Sequence, residues 1–513
     1  AHRPEQFGLT AAEFTRIFGR HMPGGGSGEI TPTDPEAIGA QYASGKLEVN
    51  CLACHNAHPG QDQGGATGYA VQVSRNNFRW AATASCEFAR VRGSVTDAGP
   101  TYDPFMPDET EEKAPRVSYD KKVFDAKGNV FLHIVREVPD HRCYYCHSDL
   151  YCGENEQKTE KWAADEDIHL AAGLTCVDCH RNGLDHDIVR GYEGESAYSH
   201  NEMAATSSCQ GCHLGDENGN RPTGGRLGAP VPEHKGIPVV HFERLTCTAC
   251  HSGPWPTEKP VLAKTSRAHR LGTINVNKEP RVLPHVWAPV FVKEGWTDPN
   301  RPGKIGPHKM VWPAFWGVLD ANDGVKPVEL AVVTKVVGGV LRNVVPAPTG
   351  DWSELKEEQV GEALKALAQA GQTKPVYITG GMLYELDEAG ALKSRQGHPA
   401  AAPYAWAMAH GVRPAAQSLG VGKCTVCHST KSPFFFGQVG LDSPIASVAS
   451  LTKAQYEFQK ASHARTWFFA FSFLFRPWFK VIAIGASAVI GIVLLLYGLK
   501  ALGSVARVLA EQE

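Results

Sequence analysis

The sequence predicts a mostly α and irregular fold, with a small α+β insertion late in the chain and one transmembrane helix at its C-terminal end. Three observations carry that expectation. A short Cys-x-x-Cys-His motif recurs six times, glycine and proline are over-represented, and one long stretch near the end carries no charge.

The six motifs are Cys51/Cys54/His55, Cys143/Cys146/His147, Cys176/Cys179/His180, Cys209/Cys212/His213, Cys247/Cys250/His251 and Cys424/Cys427/His428. Cys-x-x-Cys-His is the attachment site of a c-type haem. The two thiols add across the vinyl groups, and the adjacent imidazole ligates the iron from the proximal side. Histidine is 22 of 513 residues, so chance placement after all six pairs has a probability on the order of 10⁻⁸. A zinc site would want two Cys-x-x-Cys units, or Cys/His pairs, converging on one metal, with no need for this fixed order. The expectation is six covalently bound c-type haems and a haem-cored fold.

Composition agrees with that. Aromatic residues make up only 9% of the chain, while Gly (52) and Pro (34) together reach about 17%, against a usual total of about 12%. Haem macrocycles supply the flat apolar surface that Leu and Phe otherwise provide, so the polypeptide is free to be loop-rich. A net charge of −3 gives no case for nucleic acid. The first residue is Ala1 rather than Met, which reads as a mature chain after removal of a signal peptide.

Residues 1–255 are expected to form a five-haem domain. Three of its intervals are nearly regular: 33 residues from Cys143 to Cys176, 33 to Cys209 and 38 to Cys247. Each unit reads as a short helix carrying its motif plus a connecting loop. Glycine- and proline-rich runs, Gly24-Gly25-Gly26 and Asn220 to Gly225, break the series. Residues 256–410 read as a haem-free α+β insertion. A helix from Ser353 to Ala370 has Val360, Leu364 and Leu367 as its apolar stripe and Gly371 as its stop. Val376-Tyr377-Ile378 and Met382-Leu383-Tyr384, separated by Gly380-Gly381, predict a hairpin. The β-branched, Gly-interrupted stretch Val332–Val345 predicts two more strands. Residues 411–462 carry the sixth haem.

Residues 463–480 contain Trp467, Phe468, Phe469, Phe471, Phe473, Phe475, Trp478 and Phe479, an interfacial aromatic segment interrupted by Pro477. From Val481 to Leu499, 19 residues carry no charge. As a helix they extend about 28 Å, close to the ~30 Å of a bilayer's hydrocarbon core. Residues 500–513 are then a short inner-side tail. Haem attachment takes place outside the cytoplasm, so the haem domain is expected on the extracytoplasmic, periplasmic-type side of an energy-transducing membrane. The lipid bilayer is thus one expected partner. Twelve of fourteen cysteines are used; Cys86 and Cys152 read as a disulfide, two free thiols or a single-thioether haem site.

Sixteen histidines remain beyond the proximal six. Six are first candidates for distal ligands. His133, His169, His200 and His241 precede a motif by six to ten residues, and His58 and His186 follow one closely. His234, His269, His285, His308, His398 and His410 are reserves, and Met203 or Met408 would suit one higher-potential haem.

Through these motifs the chain resembles multihaem c-type cytochromes over roughly 20–251 and 400–430. The stretches Cys176-Val177-Asp178-Cys179-His180-Arg181-Asn182-Gly183-Leu184-Asp185-His186 and His241–Trp255 are more loosely similar to membrane-anchored hexahaem subunits of cytochrome b or Rieske-type quinol-oxidising complexes. That resemblance implies a respiratory electron-transfer subunit with two kinds of partner: membrane redox subunits, and a soluble acceptor such as a small cytochrome c. The alternative is a multihaem oxidoreductase acting on a small nitrogen or sulfur compound at one open haem. Enzymes resembling multihaem nitrite and tetrathionate reductases use a lysine-ligated haem, and no Cys-x-x-Cys-Lys occurs here.

Overall fold

The computed structural model describes residues 51–56, 89–93, 113, 115–140, 143, 149–151, 160–161, 167–183, 186–191, 195–197, 201–216, 218–264, 285–293, 303–341 and 355–512. The motifs sit on single helical turns at Cys51–His55, Cys176–Cys179, Cys209–His213 and Cys247–His251, and on a tighter turn at Cys424–Val426. One turn is what the motif needs, because residues three apart lie on one helix face. Local caps set where each turn begins. Ser208 Oγ accepts from Gly211 N at 3.0 Å, and Asp178 Oδ2 accepts from Thr175 N at 2.8 Å and Thr175 Oγ1 at 2.9 Å.

The run Asn220–Gly225, expected as a loop, contains the helix Pro222–Arg226, begun by a proline that needs no N–H there. It packs against the Cys209–His213 turn so closely that a Cβ on Gly224 would fall on the Cys212 carbonyl. Gly224→Ala is therefore expected to destabilise this region by ~1–3 kcal/mol and to lower haem attachment at Cys209/Cys212. Gly225→Ala, whose Cβ meets nothing within 4 Å, is the control. Urea unfolding and the mass of the attached haem check both.

The haem-free region holds more β-structure than its sequence predicted. Two strands from the stretch before it, β1 (Asp149–Tyr151) and β2 (Glu160–Lys161), join its own, β3 (Val261–Lys264), β4 (His285–Lys293), β5 (Ile305–Val311), β6 (Phe315–Leu319), β7 (Val325–Pro327), β8 (Pro375–Thr379), β9 (Met382–Leu386), β10 (Leu392–Gln396) and β11 (Tyr404–Ala407). They form two antiparallel sheets, ordered β11-β5-β4-β3-β1-β2 and β10-β9-β8-β6-β7. The predicted hairpin is β8–β9, with Tyr377 opposite Tyr384. Strand β4 contains Pro289, which argues against a central strand. The ladder tolerates it because the β4–β5 register shifts between Trp287 and Val290.

Val332–Val345 corrects another expectation. Leu330–Val340 is a helix, α1. Val333, Val337 and Leu341 recur every fourth residue and are all buried, so packing on one face outweighs the β-branched preference. Its neighbour is α2 (Glu357–Gln369), which buries Val360, Leu364 and Leu367 as predicted. The same core takes Trp316 and Tyr377 from the sheets, Trp312 from the β5–β6 connection, and Val439, Leu441, Ile445, Val448 and Phe458 from the segment after the sixth motif.

Beyond Ser462 come α3 (His463–Ser472) and α4 (Arg476–Ala510). Pro477 lies in the first turn of α4, so it starts this helix rather than kinking it. Helix α4 runs 35 residues with a mean hydropathy of 2.5 in its most apolar stretch and none of that stretch buried. It is one helix long and apolar enough to cross a bilayer.

Candidate functional site

Five motif histidines each face a second histidine. Ring centres are 6.3 Å apart for His55–His186, 5.9 Å for His180–His410, 6.1 Å for His213–His169, 6.2 Å for His251–His234 and 6.0 Å for His428–His241. Two pairs are edge-on, at 89° and 68° between planes, and three are tilted at 53–57°, so none is stacked face to face. The spacing fits one metal atom between two imidazoles: nitrogens about 2.0 Å from a shared metal put ring centres roughly 6.3 Å apart.

Hydrogen bonds set which ring nitrogen carries the proton. His55 Nδ1 bonds the Val135 carbonyl at 2.7 Å, His180 Nδ1 that of Val189 at 2.8 Å, and His213 Nδ1 that of Pro230 at 2.8 Å. His251 is hydrogen-bonded to the Arg413 backbone. A carbonyl can only accept, so the first three rings carry hydrogen on Nδ1 and leave the Nε2 lone pair for a metal. Burial, the largest effect, holds His251 below the usual imidazole range and, together with the charges of His241 and Arg476, brings His428 down to about 4. Neutral imidazole is the ligating form.

The second histidines are positioned by backbone and by one carboxylate. Buried Asp167 accepts from His169 N at 2.9 Å, His169 Nδ1 at 3.2 Å and Val412 N at 3.0 Å. Burial pushes its carboxyl up, but these hydrogen bonds outweigh it and hold it below the usual range. The same carboxylate thus fixes His169 and the loop bearing His410. His186 (φ 59°) and His234 (φ 44°) sit in the left-handed region, which costs a non-glycine residue ~1–3 kcal/mol and is typical of functional sites.

Of the first six candidates, His169, His186 and His241 stand opposite motif histidines. His133 is exposed beside Phe131. His58 and His200 lie outside the described residues, as do Cys146, His147, Cys86, Cys152 and His269. Two reserves, His234 and His410, complete the pairs, and two others are committed to protein groups. His308 is buried with Nδ1 on the Gly306 carbonyl at 2.8 Å. His398 bonds the Asp323 carbonyl at 2.9 Å through Nε2 and accepts from Ala400 N at 3.1 Å through Nδ1. Met203 lies on the turn Glu202–Ala205, and Met408 packs beside Gly253.

Among the described residues no group of three or more His, Cys, Asp or Glu converges on a common point, as a zinc site requires. In the first motif Cys51 is exposed and Cys54 half-buried, both on the turn that carries His55. Cys54 therefore presents its thiol beside a paired histidine, and not within a cluster of metal ligands. Burial pushes the Cys427 thiol up to about 12 and raises Cys250, the setting of a group in an apolar slot rather than of a stabilised thiolate. From the second to the sixth, successive motifs lie near one another. The Cys143 and Cys176 thiols are hydrogen-bonded, and Cys179 lies within electrostatic reach of Cys212, His251 of His213, and Cys427 of Cys250.

Residues 162–252 match the family model described as cytochrome c7 and related cytochrome c. The match spans the motifs at Cys176, Cys209 and Cys247, and the family it describes, multihaem c-type cytochromes, implies covalently bound haem and electron transfer. It does not reach Cys51 and Cys54, Cys143 and Cys146, or Cys424 and Cys427. The expectation of haem at Cys54 and at these other cysteines therefore rests on the motif itself and, for Cys51/Cys54 and Cys424/Cys427, on the paired histidine beside it. No curated protein and no solved structure matches the chain.

Proposed function

We propose that this chain is a membrane-anchored hexahaem cytochrome c that carries electrons between a membrane quinol-oxidising respiratory complex and an extracytoplasmic acceptor. The observation that carries the reading is the set of five motif histidines, each with a second histidine at 5.9–6.3 Å. Bound haem supplies one-electron Fe(III)/Fe(II) chemistry. The chain's own residues do the rest. Each Cys-x-x-Cys turn would fix a haem covalently, and the paired histidines would hold its iron for one-electron exchange. Carbonyl acceptors on Nδ1 fix ring orientation and raise ligand basicity.

At the five described pairs, two imidazoles leave no position for substrate, which supports a wire over an enzyme there. Helix α4 supports the anchor, and haem attachment in an oxidising compartment puts the haem domain on the extracytoplasmic side. Cytochrome b or Rieske-type subunits are the proposed membrane partners and a small cytochrome c the soluble one. The mass of the intact protein tests the cofactor count. The expected increment is that of six haems; five or fewer, or seven or more, would overturn it. Mild-detergent purification of the membrane complex, with identification of its subunits, tests the partners.

A further inference from the structure

The anchor also builds part of the last haem site. The His428 ring lies parallel to Phe473 (5.3 Å between centres, 5° between planes), edge-on to Phe469 (5.1 Å) and beside Phe435 (5.9 Å). Phe469 belongs to α3, and Phe473 follows it directly. Arg476, at the start of α4, places its guanidinium 3.4 Å from the Phe473 ring centre and within electrostatic reach of His428. None of the other four described motif histidines has such a surround; each is tied to a backbone group instead. Among the described residues, no acceptor stands against His428 Nδ1.

Position and environment point the same way. The Cys143–Cys176 hydrogen bond and the electrostatic proximity of Cys179 to Cys212, His213 to His251 and Cys250 to Cys427 order the second to sixth motifs along the chain. His186, which follows the third motif, faces His55 of the first, so that site joins the series at its side. The Cys424/Cys427 site is then the end nearest α4. Two effects act on its iron with one sign. Aromatic burial disfavours the more charged oxidised state, and a nearby guanidinium does too.

We infer that the haem at Cys424/Cys427 is the membrane-end terminus of the series and the one of highest potential, set there by Phe473 and Arg476 of the anchor. It is then the first haem of the series to be reduced. This rests on the proposed haem content.

Spectroelectrochemical titration of the full chain in mild detergent tests it, with electron paramagnetic resonance to count low-spin components. His241→Ala identifies the site by making one haem high-spin; the expected loss is the highest-potential low-spin component. Arg476→Gln, a surface change that keeps the helix, is expected to lower that component by about tenfold in its reduced-to-oxidised ratio, ~59 mV for one electron. Phe473→Leu is expected to move the same component, and Lys480→Gln none. Loss of a middle or lowest component in His241→Ala, or a top component unmoved by Arg476→Gln, overturns the inference. A purified chain without haem would instead overturn the function it rests on.

Discussion

Replacing His410 with alanine is expected to convert one haem in the chain from low-spin to high-spin and to create one stoichiometric site for cyanide or nitric oxide. His410 faces His180 at 5.9 Å although 230 residues separate them. The loop that carries it does not depend on the imidazole for its position. Gly253 N donates to the His410 carbonyl at 2.9 Å, Arg413 N to that of His251 at 2.7 Å, Ile168 N to that of Val412 at 2.8 Å, and Val412 N to Asp167 at 3.0 Å. The truncation therefore leaves the backbone in place and one iron face open. His398→Ala is the contrast, because both of its ring nitrogens are spent on Asp323 and Ala400; its spectrum is expected to be unchanged. Electron paramagnetic resonance of the oxidised proteins with ligand titration reads both. A fully low-spin His410→Ala protein would remove His410 from the ligand set.

The contrast between His410 and His398 also marks what sequence can and cannot carry. The attachment motifs are local: three residue identities at fixed spacing on one helical turn, legible without a fold. So are the β8–β9 hairpin and the stripe and stop of α2, where periodicity and paired glycines act within a few residues. Distal histidines are not local. Proximity along the chain singles out His169, His186 and His241, but it ranks His410 and His234 below His133. His410 reaches His180 because the 410–413 loop docks on Asp167 and the Cys247–His251 turn, a long-range contact no spacing encodes. His234 depends on a left-handed backbone, which histidine rarely adopts and sequence does not announce. The strand reading of Val332–Val345 failed for a related reason. Its residues favour strands individually, and only the four-residue recurrence of Val333, Val337 and Leu341 against α2 reveals the helix. In β4 a register shift between Trp287 and Val290 accommodates Pro289.

Truncation at the C-terminal end is expected to give graded, not all-or-none, release from the membrane. The full chain carries α4, whose 35 residues span about 52 Å as a helix, beyond the ~30 Å hydrocarbon core. It is expected to stay with vesicles through high salt and carbonate. A chain ending at Phe475 lacks the span but keeps α3 and the residues after it, with Phe468 66% and Leu474 61% exposed. Such a surface binds the headgroup boundary by apolar burial, so this chain is expected to sediment with vesicles in salt and leave them in mild detergent. A chain ending at Ser462 loses both and is expected to remain in the supernatant. The two truncations differ at the haem as well. Ending at Phe475 leaves Phe469 and Phe473 against His428, whereas ending at Ser462 strips both rings away. The shorter protein is thus expected to show faster ligand exchange at the proposed Cys424/Cys427 haem, with the others unchanged. Equal sedimentation of the two truncated chains would place the interfacial affinity outside α3. Equal ligand exchange would mean that the aromatic segment covers the anchor alone and leaves the iron indifferent to it.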